Sequence, residues 1–431
     1  MAKNGPVHLA LLGAGTVGSG VARVLAQKRD VFARQLGRPI DIAGVLVRDA
    51  AKGRPDIDPG LLTTDAARLL DDPAVDIVVE VLGGEQPALD FMTRALEGGK
   101  YVVTANKEVM AKHGPRLLAL ARQRGVDLLY EASVGGGIPI IAPLKRDLLA
   151  NRITAVSAII NGTTNYILTA MSREGADFAE ALRRAQELGY AEADPSNDVE
   201  GEDARYKLAI LASLAFRSPV RPDDIYREGI TKLTANDFRY AAELGYAIKL
   251  LAIARWQDGG IQARVHPTFL PADAPLAKVD GVLNAVQVEG DLVGRVNFQG
   301  PGAGSLPTTS AVIADVLDAA QSIVGGRREV YAAEEAPSRV VPMSELLTRY
   351  YIRLTVADRP GVLAQIATRF GEAQISIASV IQKETHFDAQ TAELVMMTHE
   401  AREASMQSAL AAVAELAVVQ EIGNFLRVEE Q

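Results

Sequence analysis

The sequence predicts an α/β chain in three parts: a doubly wound parallel sheet at the amino end, an α+β domain in the middle, and a small βαββαβ module at the carboxyl end. Three observations predict it. Short apolar runs alternate with helical patterns over residues 1–150, a glycine loop joins the first strand to the first helix, and the pattern restarts after a charged, proline-bearing stretch at 332–346. A chain of 431 residues also exceeds one ordinary core, so more than one domain is expected.

Val7–Leu12 reads as a buried strand, followed by a glycine turn and a helix carrying Val17, Val21, Val24 and Leu25. Residues 42–47, 77–82, Tyr101–Thr104 and 127–130 are further strands, with a helix at Ala88–Glu97 ended by Gly98 and Gly99. Strict alternation of this kind implies βαβ units, and so a Rossmann-type sheet over 1–150. From 151 to 331 the texture changes: 153–160 is β-branched, 178–188 and 204–216 are alanine-rich helices, and strand patterns such as 282–290 appear beyond Gln262. This α+β region is the expected substrate domain, except that a helix at 309–323, within about 305–330, is expected to pack back on the first sheet. The stretch 332–346, with Pro337 and Pro342, reads as a linker. In 347–431 the strands are 350–356, 375–383, 392–398 and 418–428 and the helices 362–371 and 404–416, the order of a ferredoxin-like sandwich.

Hydrophobic residues make up 48% of the chain and charged residues 23%, which places it among globular proteins. A net charge of −9 argues against a nucleic-acid or anionic-membrane partner, since such a surface repels phosphates; a local lysine pocket still admits a small anion. The absence of cysteine excludes disulfides, thiolate catalysis and cysteine-ligated metal centres, and fits a reducing cytoplasm. The run Val7–Leu12 is too short for a signal-peptide core, and no apolar stretch approaches the roughly 20 residues a membrane span needs. A cytoplasmic protein is expected.

Gly13, Ala14, Gly15, Thr16, Val17 and Gly18 match G-x-G-x-x-G between a strand and a helix. The first glycine permits the turn, the second lets a pyrophosphate approach the backbone, and the third lets helix and strand pack closely. Unpaired N–H groups at the helix start then face the phosphates. Residues Gly13, Gly15, Thr16, Val17 and Gly18 are therefore expected to bind a nicotinamide dinucleotide. After the second strand comes Arg48, then Asp49, with Lys52 and Arg54 behind. Arginine there accepts the 2′-phosphate of NADP(H), whereas an acid pairs with the ribose of NAD(H). NADP(H) is favoured, and Asp49 leaves NAD(H) open.

Thr104, Ala105, Asn106 and Lys107 lie past a strand's carboxyl end, where open α/β sheets bind ligands. Lys107 there meets substrate or nicotinamide, or is a solvated lysine at a helix start. The richest stretch runs from Gly189 through Tyr190, Glu192, Asp194 and Asp198 to Asp203 and Lys207. Asp203 and Lys207 are four apart on a predicted helix and share a face. That is either an ordinary surface ion pair or an acid–base lysine beside the apolar edge formed by Ala204, Leu208 and Leu211.

These motifs, with Asn161-Gly162-Thr163-Thr164-Asn165, Gly189 to Pro195, Asp198 to Ala204 and Gly300-Pro301-Gly302-Ala303-Gly304, stand in an order that resembles homoserine dehydrogenase over nearly the full length. With no amino-acid kinase region ahead of it, the chain looks like the monofunctional bacterial form. The resemblance implies reversible NAD(P)H-dependent reduction of aspartate 4-semialdehyde to homoserine, in threonine and methionine biosynthesis. It implies Lys207 as proton donor, Asp203 as its orienting partner, and Lys107 between cofactor and substrate. Glu192, Asp198, Asp203, Tyr190, Gly162 and Thr163 would bind substrate, while Asn106, Gly302 and Gly304 would join the cofactor set. It also implies a structural monovalent cation, usually Na+, on carboxylate and carbonyl oxygens of Glu131, Val134, Gly136 and Ile138, and a homodimer or homotetramer built through the substrate domain.

Asp358, Arg359, Pro360, Gly361, Val362 and Leu363 follow a strand and open a helix, and with the βαββαβ order they resemble an ACT domain. That likeness implies an amino-acid effector, threonine being the natural candidate, held near Asp358, Gly361, Val362 and Leu363; the alternative is a module that only supports assembly. Two other readings of the whole chain are a dehydrogenase of another amino-acid-derived carbonyl and a catalytically silent nicotinamide sensor. The presence of both Lys107 and Lys207 weighs against the sensor.

Overall fold

Six parallel strands form the amino-terminal sheet: β1 (Val7–Leu12), β2 (Ile40–Leu46), β3 (Leu62–Thr63), β4 (Ile77–Glu80), β5 (Tyr101–Thr104) and β6 (Leu128–Leu129), in the order β3-β2-β1-β4-β5-β6. The order reverses between β1 and β4, which makes the carboxyl ends of these two strands the place where this architecture binds ligands. β1 is almost wholly apolar because both faces of such a sheet are covered. The computed structural model describes residues 5–257, 259–326, 338–386 and 390–430.

The chain divides into two compact units, one of Met1–Val156, Tyr206–Pro222 and Asn284–Ser338, the other of Ser157–Arg205, Asp223–Leu283 and Arg339–Gln431. In the first, Val7, Leu9, Leu11, Val45, Ile77 and Val79 share a core with Val21 and Leu25 of the helix Thr16–Gln27 and with Phe32 and Leu36 of Arg29–Leu36. Val312, Ile313, Val316, Ala319 and Ala320 of the helix Ser305–Gly325 complete that core, so the late helix does return to the nucleotide sheet. The helices Ala88–Glu97 and Lys107–Arg124 pack on one another and on β4 to β6. The helix Arg29–Leu36 was not expected: it is short, buries only Phe32 and Leu36, and is stopped by Gly37 in the left-handed conformation.

In the second unit a long antiparallel hairpin, Tyr246–Gln257 and Gly260–Pro271, pairs over its whole length. The strand Gly260–Pro271 continues into the carboxyl-terminal module by parallel pairing of Thr268 and Phe269 with Arg427 and Val428. The module's strands follow in the order Val419–Val428, Leu347–Ala357, Thr391–Thr398, Ile377–His386, all antiparallel, as a ferredoxin-like sheet requires. The helices Val362–Glu372 and Glu403–Ala414 pack over it around Ile366, Phe370, Met406 and Leu410.

The sequence divides into three domains with a linker, whereas the module shares one compact unit with Ser157–Arg205 and Asp223–Leu283 of the expected substrate domain. Buried charges are the physical reason. Arg353 pairs with Asp237 (2.9 Å) and Glu393 (3.0 Å), and Arg264 pairs with Glu429 (2.8 Å), all nearly inaccessible to water. Of the expected linker, 332–337 lie outside the described residues; beyond them, Ile261 N–H donates to the Arg339 carbonyl and Val341 N–H to that of Ile261, which fixes the chain on the hairpin.

Candidate active site

β1 ends in Gly13, whose φ of 108° turns the chain sharply and whose N–H donates to the Leu46 carbonyl at 3.0 Å. A Cβ at Gly18 would overlap the Gly13 carbonyl oxygen, so only glycine lets the helix sit this close to the strand. The helix Thr16–Gln27 starts at Gly15 with no side-chain cap and no acid in its first turn, and the space beside Gly15 is open. Uncapped N–H groups above an open backbone suit a pyrophosphate. The residues present therefore fit a dinucleotide. Arg48 and Asp49 stand exposed just past β2; the Asp49 carboxylate accepts the Ala51 N–H at 2.9 Å and is committed to its own turn.

The second glycine loop meets the first. Gly304, with φ of 115°, opens the helix Ser305–Gly325, and the Ser305 hydroxyl donates to the Thr16 carbonyl at 3.3 Å. Close by, Gly302, Ala303, Gly83, Gly84, Asn106 and Gly136 line a cavity of about 270 Å³, together with Lys107 and Lys207. Both lysines, chosen from sequence a hundred residues apart, are half-buried on this one cavity.

Lys107 is the first residue of the helix Lys107–Arg124, and Asn106 is its cap, accepting the Val109 N–H at 3.1 Å and donating to the Gly84 carbonyl at 2.7 Å. The Asn106 N–H donates to the Thr104 hydroxyl at 3.0 Å, and that hydroxyl donates to the Glu80 carboxylate at 2.6 Å. Glu80 is fully buried at the end of β4, directly opposite Thr104, and also accepts the Leu82 N–H at 2.7 Å. Burial raises its pKa above the usual carboxylate range, against the opposing pull of these hydrogen bonds. An acid ending an apolar strand is all that marks Glu80 in the sequence.

The second unit holds the acidic cluster. Asn161 caps the helix Gly162–Glu174 by accepting the Thr164 N–H at 2.8 Å. Its amide hydrogens go to Asp198 (2.6 Å) and Asp203 (2.9 Å), so one side chain draws two carboxylates together. Thr163 donates to the Tyr190 carbonyl at 2.7 Å, and the Tyr166 and Tyr190 rings lie 5.1 Å apart. Glu192 is exposed on the same loop. Asn161 had been noted only as part of a motif. Asp203 lies in the first turn of the helix Glu202–Ala215, one turn ahead of Lys207.

The cation loop differs from expectation at Glu131. Its carboxylate accepts N–H groups of Ile140 (2.6 Å), Ile141 (2.9 Å) and Ala142 (2.7 Å), at the start of the helix Ile141–Lys145, and its own N–H donates to Asp315 at 2.8 Å. Three N–H donors at a helix start occupy most of this carboxylate's acceptor capacity, and one lone pair of Oε2 is left. Among the described residues no group of three acidic or histidine side chains could hold a metal. Gly135 and Gly136 bend the loop with φ of 73° and 57°.

In the carboxyl-terminal module Gly361, with φ of 85°, opens the helix Val362–Glu372 without a side-chain cap. Asp358 is exposed before it and accepts from Gln382 at 3.3 Å; Val362 is buried and Leu363 exposed. No helix among the described residues is long and apolar enough to cross a membrane.

Comparison with known proteins agrees with this geometry. Residues 13–131 match the family described as homoserine dehydrogenase, NAD binding domain, residues 139–317 that described as homoserine dehydrogenase, and residues 350–418 the ACT domain. A homoserine dehydrogenase of Neisseria gonorrhoeae is 42% identical over 98% of this chain and 99% of its own, and one of Synechocystis sp. is 45% identical over 98% and 99%. Among solved structures, a homoserine dehydrogenase from Thiobacillus denitrificans is 42% identical, covers 100% of both chains and has a TM-score of 0.94. A hyperthermophilic archaeal homoserine dehydrogenase in complex with NADPH is 29% identical over 73% of this chain and 97% of its own, with a TM-score of 0.62. With its glycine loop, its lysine cavity and this likeness over nearly its whole length, the chain belongs to the homoserine dehydrogenase family of NAD(P)-dependent oxidoreductases and carries a carboxyl-terminal ACT domain.

Proposed function

We propose that the chain reduces aspartate 4-semialdehyde reversibly to homoserine, a step of threonine and methionine biosynthesis, with Lys207 giving its Nζ proton to the aldehyde oxygen. The observation that carries this reading is the cavity on which Lys107 and Lys207 meet beside the two glycine loops. The bound dinucleotide supplies the hydride. As charge builds on the carbonyl oxygen, a half-buried ammonium stabilises it and then neutralises it by proton transfer. Asp203, one turn before Lys207 and held by Asn161, orients that lysine. Lys107, fixed at the helix start by the Asn106 cap, lies on the cofactor side of the cavity and holds the reacting carbonyl in place. Glu192, Asp198, Tyr190, Gly162 and Thr163 are the proposed substrate-binding residues, the two acids for the substrate ammonium.

NADP(H) is the favoured cofactor: Arg48 stands free of a carboxylate that is tied into its own turn, and a related archaeal enzyme carries NADPH. Carboxylate and carbonyl oxygens of Glu131, Val134, Gly136 and Ile138 would hold a structural monovalent cation, on a loop bent by Gly135 and Gly136. The strand Gly294–Pro301 lies at a sheet edge and alternates exposed and half-buried residues, with Leu292 and Val293 exposed before it, and this open edge supports a homodimer or homotetramer. Threonine is the proposed effector of the ACT domain, at the helix start of Gly361.

The test is a substrate comparison. NADPH oxidation is measured with aspartate 4-semialdehyde and with succinate semialdehyde, which lacks the ammonium. Turnover of the first with little of the second is expected; failure to turn over aspartate semialdehyde would overturn the reading.

A further inference from the structure

Glu80 stands out among the groups the mechanism leaves unused. It ends a strand whose other residues, Ile77, Val78 and Val79, are fully buried and apolar, and it is itself inaccessible to water. An apolar side chain would satisfy the packing there, and a buried carboxylate is costly unless donors surround it. Donors do surround it. The Thr104 hydroxyl and the Leu82 N–H take one oxygen each, at 2.6 and 2.7 Å, and the Gly83 N–H and the Asn106 side chain add to them.

The direction of these bonds matters. Thr104 has one hydroxyl proton, and by giving it to Glu80 it turns its lone pairs toward the Asn106 N–H, which it accepts at 3.0 Å. Asn106, held in this way, caps the helix whose first residue is Lys107. On the other side, Glu80 holds the start of the Leu82–Gly84 loop, and the Gly84 carbonyl takes the Asn106 amide at 2.7 Å. Gly83, Gly84, Asn106 and Lys107 are consecutive walls of the lysine cavity.

We infer that Glu80 is a positioning residue for Lys107: an all-acceptor carboxylate beneath the cavity that fixes Thr104, the Leu82–Gly84 loop and the Asn106 cap, and through them the place of the lysine. The inference rests on the role proposed above for Lys107. An amide in place of the carboxylate presents a donor to one of two donors, so the chain through Thr104 loses its direction while the volume is kept.

The experiment is a double-mutant cycle of Glu80→Gln and Lys107→Ala, with kcat and KM measured for both substrates and thermal melts run alongside. Glu80→Gln is expected to lower kcat by roughly 10- to 100-fold, as a misplacement of about 1 Å does, with KM for the dinucleotide little changed. In the Lys107→Ala background the same substitution should change kcat by less than about twofold, since the group it positions is gone. Two losses that simply multiply would overturn the inference even if Lys107→Ala is itself slow. A Lys107→Ala enzyme with full kcat would instead overturn the role of Lys107, and the inference with it. Should Glu80→Gln fail to fold, Thr104→Val against Thr104→Ser makes the same test: the hydroxyl variant should keep kcat and the valine variant lose it, and equal rates would contradict the chain of bonds.

Discussion

Asn161 donates to Asp203 at 2.9 Å, and its other amide hydrogen reaches Asp198 at 2.6 Å. Two carboxylates are held beside each other by one neutral side chain that is also the cap of the helix Gly162–Glu174. Asn161→Asp separates these tasks, because aspartate caps as well as asparagine but brings a third negative charge and no donor. We predict a fall in kcat/KM for aspartate semialdehyde of about 100-fold, roughly 2.7 kcal/mol. Steady-state kinetics with a melting curve checks it; a variant with ordinary kcat/KM would show that the amide does not organise the acids.

Gly18→Ala should weaken dinucleotide binding. The added Cβ would overlap the Gly13 carbonyl, and the helix must move away from the loop to admit it. Titration of NADPH by fluorescence should show more than about a tenfold rise in Kd, with a stability loss of about 1–3 kcal/mol from overpacking. Tight binding by the variant would mean the loop is not the phosphate site.

Arg48→Ala tests the choice of cofactor. Removing a guanidinium that faces a 2′-phosphate should raise KM for NADPH about tenfold and leave that for NADH nearly unchanged. Equal changes for the two dinucleotides would remove Arg48 from that task.

The carboxyl-terminal module should share the acid sensitivity of its ion pairs. Burial on its own would raise the Glu403 carboxyl, but hydrogen bonds from Arg427, one of 3.1 Å from Nε, outweigh it and hold the pKa below 4.5. A depressed folded-state pKa contributes stability above the unfolded value and loses it as pH falls from about 4.5 toward the folded value. Melting temperature against pH should therefore fall more steeply below about 4.5 in the wild type than in Glu403→Gln, which also melts lower at neutral pH. Parallel curves would contradict the assignment. Removing the cation is harsher: Arg353→Leu leaves Asp237 and Glu393 buried without their partner and should cost about 3–5 kcal/mol.

The parts legible from sequence are those that local chemistry dictates. The glycine loop announces itself because only glycine permits its turn and its helix contact, and the strands β1 and β5 are bounded by turn residues on both sides. The lysines and acids were legible through their motifs. Their organisers were not, since Asn161 meets carboxylates 37 and 42 residues away and Glu80 meets Thr104 across a strand pair. The capping role of Glu131 was hidden as well, because its three N–H partners lie at a helix start that begins nine residues later. The strand Tyr246–Gln257 was missed for another reason: its run of Ala, Leu and Ile has no period of two, and only pairing with Gly260–Pro271 makes it extended. Likewise the docking of the module depends on pairs such as Arg264 with Glu429, 165 residues apart.

Lys207 is the proposed donor of the proton that completes reduction of the aldehyde. Its most direct test is kcat for NADPH-dependent reduction of aspartate 4-semialdehyde by Lys207→Ala beside the wild type, with NADPH affinity measured in both. A loss in kcat of about 10²- to 10⁴-fold with dinucleotide affinity retained is expected. A Lys207→Ala enzyme that binds NADPH and turns over at close to the wild-type rate would contradict it.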